Sequence, residues 1–192
     1  MKNKKEILPV IPPKDIVIGN PAAPVKLVEF GDYESEACAR AHEVVKQLLE
    51  THAGELQFIF RHFPLTKVNQ KAHKAAEAAI AAAQEGKFWE MHQELFNNRR
   101  NLGVISLKSY AKDIGITNKN FLYDLINGVY GWYVQDDLRE GISLGVTDVP
   151  TFFINGERVE EDPTYTNLQA RIEATLDAGK TRVLQPNQKR RA

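Results

Sequence analysis

The chain has 192 residues, 43% apolar and 26% charged, and its 25 Lys plus Arg balance its 25 Asp plus Glu. That composition fits a soluble globular protein of one sizeable domain, or a small domain with a large insertion. The neutral balance gives no electrostatic footprint for nucleic acid, the single cysteine excludes an internal disulfide and a cysteine-based structural zinc site, and no run approaches membrane-spanning length.

Residues 1–24 read as an N-terminal arm rich in Pro and Lys, with a short apolar stretch, DIVIG, before NPAAP. The arm begins without an apolar run of signal-peptide length, so the chain as given is expected in the cytoplasm, or in the periplasm if a leader has been removed. VKLVEFG, Val25 to Gly31, is the first strong strand, β-branched and aromatic and ended by Gly-Asp. A helix is predicted from about Ser35 to His52, with Ala41, Val44, Val45, Leu48 and Leu49 at spacings of three and four and Gly54 as its stop. LQFIFR, Leu56 to Arg61, is a second strand.

Several short helices follow, each closed by a glycine or a polar turn. They are an alanine-rich helix ending at Gly86, KFWEMHQELFNN with its aromatic stripe, SLKSYAKDIG, TNKNFLYDLING and YGWYVQDDLREGISLG. Phe88, Trp89 and Phe96 fall at helical spacing and read as core. The chain then returns to sheet. Thr151 to Ile154 is a strand, Asn155-Gly156 a two-residue hairpin turn and ERV the return strand. A closing helix is predicted to end at Gly179, and residues 180–192 read as a disordered basic tail. The order is β-α-β, a helical insert, then β-β-α, which gives an α/β sandwich around a central mixed sheet.

The chemistry concentrates in GDYESEACARAH, which holds the lone Cys38 and, three residues before it, Ser35. Thiol enzymes place two sulfurs at this spacing on the first turn of a helix. The helix N-terminus, with its unpaired N–H groups and positive dipole end, can hold a thiolate near neutral pH. A serine hydroxyl is too weak an acid for that, and no neighbouring motif supplies a base to activate it. Ser35 therefore reads as an N-cap. Cys38 has two readings, a buried inert thiol or a single thiol that forms mixed disulfides, with glutathione for example. Glu36 favours the helix dipole but adds negative charge near the thiol. His42, one turn beyond Cys38, is a packed or solvated histidine or a thiol partner. The five histidines form no metal-ligand pattern, and a hydrolase built from Ser35, Asp32 and a distant histidine lacks the nucleophile elbow.

Four segments in this order resemble the DsbA-type thiol–disulfide oxidoreductases, a thioredoxin fold with an inserted helical domain: VKLVEFGDYESEACARAH, FIFRHFPL, AAEAAIAAAQEGKFWEMHQELF and GVTDVPTFFINGERV. The resemblance spans about residues 14–178 and divides the chain. Residues 25–65 and 146–179 form the thioredoxin-like domain, and 66–145 the inserted helical domain. On the family's Cys-x-x-Cys motif, Ser35 falls where the exposed nucleophile stands and Cys38 where the resolving thiol stands. Glu36 and Ala37 fill the two positions between them, and the charge of Glu36 is a second departure. The resemblance implies a cis peptide at Val149-Pro150, facing the active-site helix and leaving the Val149 backbone to pair with an extended substrate segment. It also implies a buried acid at Glu29 that exchanges protons with Cys38. Strand alternation alone allows Glu29 on either face, and the expectation is a partly buried Glu29 near Cys38. No cofactor is expected beyond glutathione as a co-substrate. The expected partners are protein or peptide thiols and disulfides, with no nucleic acid and no membrane. The function implied is a thiol–disulfide oxidoreductase family member with an impaired one-thiol site. The alternative is a non-catalytic peptide-binding or chaperone-like module using the groove beside Pro150. A third reading, with Ser35 replacing a natural cysteine, stays open.

Overall fold

The computed structural model describes residues 11–183. After a 3-10 turn at Pro13–Asp15 come β1 (Ile18–Gly19), β2 (Val25–Gly31), α1 (Glu36–Thr51) and β3 (Leu56–His62). Five helices follow: α2 (Ala72–Ala83), α3 (Phe88–Asn97), α4 (Val104–Asp113), α5 (Phe121–Ile126) and α6 (Gly131–Ser143). The chain closes with β4 (Thr151–Ile154), β5 (Glu157–Arg158) and α7 (Tyr165–Val183).

The sheet order is β1-β3-β2-β4-β5. Only β2 and β3 run parallel, joined through α1, and the other pairings are antiparallel. The mixed sheet follows from the connections: a helix carries the chain back to start a parallel neighbour, whereas the Asn155-Gly156 turn can only make an antiparallel one. Both turn residues have positive φ, 50° and 87°, as such a turn requires. Alternation along β2 sends Leu27 and Glu29 to the face covered by α1 and α3, and Lys26, Val28 and Phe30 to the opposite face.

The sheet begins earlier than the sequence reading placed it. Ile18 and Gly19, inside the expected arm, pair with Phe58 and Gln57 of β3. Gly19 has φ +90°, and a Cβ there would stand 2.4 Å from the Leu56 carbonyl oxygen, so only glycine lets this strand close on the edge. At the other end α7 passes through Gly179 to Val183, because buried Leu168 and Ile172 anchor the helix and one interior glycine costs it only about 1 kcal/mol. The expected tail is thus helical over 180–183, and its remainder, like residues 1–10 of the arm, lies outside the described residues.

The alanine-rich α2 is buried nearly all round and packs against α3, α4, α5 and α6, as a helix apolar on every side must. An aromatic cluster joins these helices to the sheet: the Tyr33 ring lies 5.1 Å from Phe60 and 5.0 Å from Phe96, and His92 lies 4.7 Å from Phe60. Each fully buried ring of this kind contributes roughly 1.5–3 kcal/mol through the area it removes from water.

Candidate functional site

The site is assembled where β2 ends and α1 begins. Ser35 has extended backbone (φ −69°, ψ 128°) and is the N-cap of α1, and its Oγ accepts the Cys38 N–H at 3.3 Å. One of the first backbone donors of the helix is satisfied in this way, and the hydroxyl is committed to the task. The helix then turns Cys38 inward, where it is fully buried and its Sγ accepts the Asp32 N–H at 3.4 Å. Burial and, after it, the charge of Glu29 push the thiol well above its ordinary pKa, while the Asp32 N–H and the Ser35 hydroxyl pull weakly the other way.

Glu29 is more deeply placed than the expected half-burial. It is 1% exposed, Oε1 has no hydrogen-bond partner, and burial raises its pKa from 4.5 to about 8. Gly31 makes room for it, since a Cβ at that position would stand 2.9 Å from Glu29 Oε1 and 2.5 Å from the Phe60 ring. The carboxyl therefore lies inside the core beside the thiol, and near neutral pH it is largely protonated. Glu36 acts otherwise than expected. Its exposed carboxylate is bound by Arg40 at 3.2 Å and Arg99 at 3.0 Å, and the charges that raise the Cys38 pKa are those of Glu29 and Asp32.

Neither histidine alternative survives. His42 Nε2 lies 3.0 Å from Gln93 Oε1, its ring stacks on Phe96 at 5.0 Å, and burial lowers its pKa, so it is a packed histidine rather than a thiol partner. The Asp32 carboxylate is fully used by the N–H groups of Glu34 and Leu65 and the side-chain amide of Asn69, at 2.7–2.9 Å, and orients no histidine toward Ser35. Among the described residues no group of His, Cys, Asp and Glu could hold a metal ion, and no helix is long and apolar enough to cross a membrane.

Sequence reasoning missed a clasp formed by three consecutive residues. Asp32 binds Leu65 N–H and Asn69. The Tyr33 hydroxyl lies 2.9 Å from His92 Nδ1 on α3. Glu34 Oε2 accepts the N–H groups of Lys71 and Ala72 at 2.6 and 2.8 Å, capping α2, which has no cap of its own. The loop between β2 and α1 is thereby tied at three points to the segment before α2, to α3 and to the start of α2. The only local signal was two acids around a tyrosine after a strand, which says nothing about partners more than thirty residues away.

Across from α1, the Val149-Pro150 peptide is cis and leads into β4. Val149 is buried, and its N–H donates to Asp148 Oδ1 at 2.8 Å. A cleft of about 440 Å³ separates Ala37, Arg40, Ala41 and Val44 from Pro150, Pro163 and Tyr165. Ala37 and Pro150 thus meet on one groove, while Cys38 is buried behind its α1 wall.

A family model described as thioredoxin matches residues 12–174. Among solved structures, oxidised BdbD from Bacillus subtilis superposes with a TM-score of 0.78 at 22% identity, covering 86% of this chain and 93% of that one. Alpha-DsbA1 from Wolbachia pipientis gives 0.75 at 20% identity, covering 87% and 93%. A curated relative, the Na(+)/H(+) antiporter NhaA 1 of Mycobacterium sp. (strain KMS), is 37% identical over 155 residues, 79% of this chain but 25% of its own length. The corresponding antiporter of Salinispora arenicola is 37% identical over 152 residues, 79% of this chain and 23% of its own. The chain thus spans about a quarter of the curated relatives it matches. Strand order, the helical insert between β3 and β4 and the extent of the family match agree: the chain belongs to the thioredoxin family and has the fold of its DsbA-type members.

Proposed function

We propose that this is a DsbA-like member of the thiol–disulfide oxidoreductases in which dithiol exchange is lost, and which engages extended protein segments along the groove between α1 and Pro150. The carrying observation is that the two motif positions are both occupied otherwise: the Ser35 hydroxyl caps the helix, and Cys38 is fully buried with a raised pKa. Dithiol exchange runs in two displacements. An exposed thiolate attacks a substrate disulfide, forming a mixed disulfide and expelling one substrate thiolate. A second thiolate then attacks that mixed disulfide, closing the protein's own disulfide and expelling the other. Position 35 has no sulfur for the first displacement, and position 38 presents a protonated, inaccessible one for the second. The groove needs neither sulfur. Its floor of small apolar side chains beside a backbone segment suits an extended chain, which adds backbone hydrogen bonds once the Asp148 carboxylate releases the Val149 N–H. For the compartment we favour the periplasm, supported by a structural relative described as a periplasmic thioredoxin-like protein from Salmonella enterica serovar Typhimurium.

Alkylation tests this. Native protein treated with iodoacetamide at pH 8 should leave Cys38 unmodified over the time in which a denatured sample is fully labelled. An unfolded peptide substrate should bind the same native protein, and bind it more weakly once Ala37→Trp, at a half-buried position of the cleft wall, fills the cleft. Rapid native alkylation together with a mixed disulfide on adding oxidised glutathione would instead make Cys38 a working single thiol.

A further inference from the structure

The sheet face turned away from Cys38 is not fully covered. Alternation brings Lys26, Val28 and Phe30 of β2, Ile59 and Arg61 of β3 and Phe153 of β4 to this side. Between them, the Pro13–Asp15 turn and the end of α6 lies a cavity of about 500 Å³. That volume is within the range of small-molecule sites. Its floor is apolar, formed by Val28, Phe30, Ile59 and Phe153, and Leu144 beyond α6 supplies a half-exposed apolar wall.

The rim is cationic. Arg61 adds no positive charge, because its guanidinium is held at 2.6 Å by both Asp137 and Glu140, a group of net charge −1 that leaves the two lysines in excess. Lys14 and Lys26 differ: both are exposed, both line the cavity, and neither ammonium has a carboxylate partner among the described residues. Apolar floor and unneutralised positive rim together select a ligand with an apolar body and one anionic head.

We infer that this cavity is a second binding site, distinct from the groove at Pro150, for an amphiphilic monoanion such as a medium-chain carboxylate. The hydrocarbon part lies on the β2–β3–β4 face and the carboxylate between Lys14 and Lys26. The site does not depend on the redox state of Cys38, which lies behind the sheet.

Calorimetric titration of the full chain with decanoate, and separately with decanol, tests this. Decanoate is expected to bind saturably at one site per chain. In Lys14→Glu/Lys26→Glu, two exposed positions that the fold does not need, decanoate should weaken by about tenfold with decanol little changed. Val28→Phe, which fills the cavity, should remove binding of both. Three results would overturn the inference. One is absence of saturable decanoate binding, as when another part of the chain already fills the cavity. The others are unchanged affinity in the charge-reversed variant and unchanged affinity in Val28→Phe.

Discussion

Glu29 carries a carboxyl group with one oxygen that nothing in the structure bonds, in a strand whose other inward residues are apolar. Desolvation alone raises its pKa to about 8, so the folded protein keeps a proton that the unfolded chain releases near pH 4.5. Below that value the group is protonated in both states and adds no pH dependence. From there to about pH 8 stability falls as pH rises, by up to roughly 1.4 kcal/mol per pH unit, and above pH 8 the loss is complete. Glu29→Gln cannot ionise. Buried His42 and His92, which resist protonation, add the same pH dependence to both proteins, so the wild-type urea midpoint should fall relative to that of the variant from pH 5 to pH 8, and a constant difference would contradict the assignment. At Ser35 the decisive quantity is acidity. A helix N-terminus shifts a cysteine into the thiolate range, but a shift of that size leaves a serine hydroxyl protonated.

Elements of this molecule are tied by side chains distant in sequence. Glu34 caps α2 from 37 residues away, so Glu34→Ala should cost about 1 kcal/mol. It should also speed hydrogen exchange at the Lys71 and Ala72 amides while α7 amides keep their protection; uniform exchange across both helices would contradict a local cap. Arg61 of β3 and Asp137 of α6 make a buried pair at 2.6 Å, and Asp137 also accepts the backbone N–H and approaches Nδ1 of His62 at 2.9 and 3.0 Å. Asp137→Ala leaves the buried arginine with the half-exposed Glu140 as its one carboxylate and should destabilise by up to about 3–5 kcal/mol, whereas Asp137→Leu/Arg61→Met should recover much of the loss. If the double variant were as unstable as the single one, the loss would lie in the His62 contacts. Distant contacts also explain where element boundaries fall. The alanine-rich α2 starts at Ala72, where the carboxylate of Glu34 meets its first amides. Gly179 reads as a stop, but tertiary anchoring by Leu168 and Ile172 carries α7 past it.

For the molecule as a whole, what was legible was what is local. The strand VKLVEFG, the Asn155-Gly156 turn and the Ser35 cap each state their geometry within a few residues, and together with the resemblance they give the sheet and the helical insert. What was not legible depends on meetings across the fold. The clasp of Asp32, Tyr33 and Glu34, the pairing of Glu36 with Arg99, full burial of Glu29 and the open back face of the sheet arise only once the insert and the sheet are in place. The proposed function nonetheless turns on one position, Ser35, where on that proposal oxygen stands in for the sulfur that would attack a substrate disulfide. The most direct test is turbidimetric insulin reduction, with dithiothreitol as electron source, by this chain and by Ser35→Cys side by side. The account predicts the uncatalysed rate for the chain as it stands, and clear acceleration for Ser35→Cys, whose new thiol at the helix start closes a disulfide with Cys38. Catalysis of insulin reduction by the unaltered chain at the rate of its Ser35→Cys variant would contradict it.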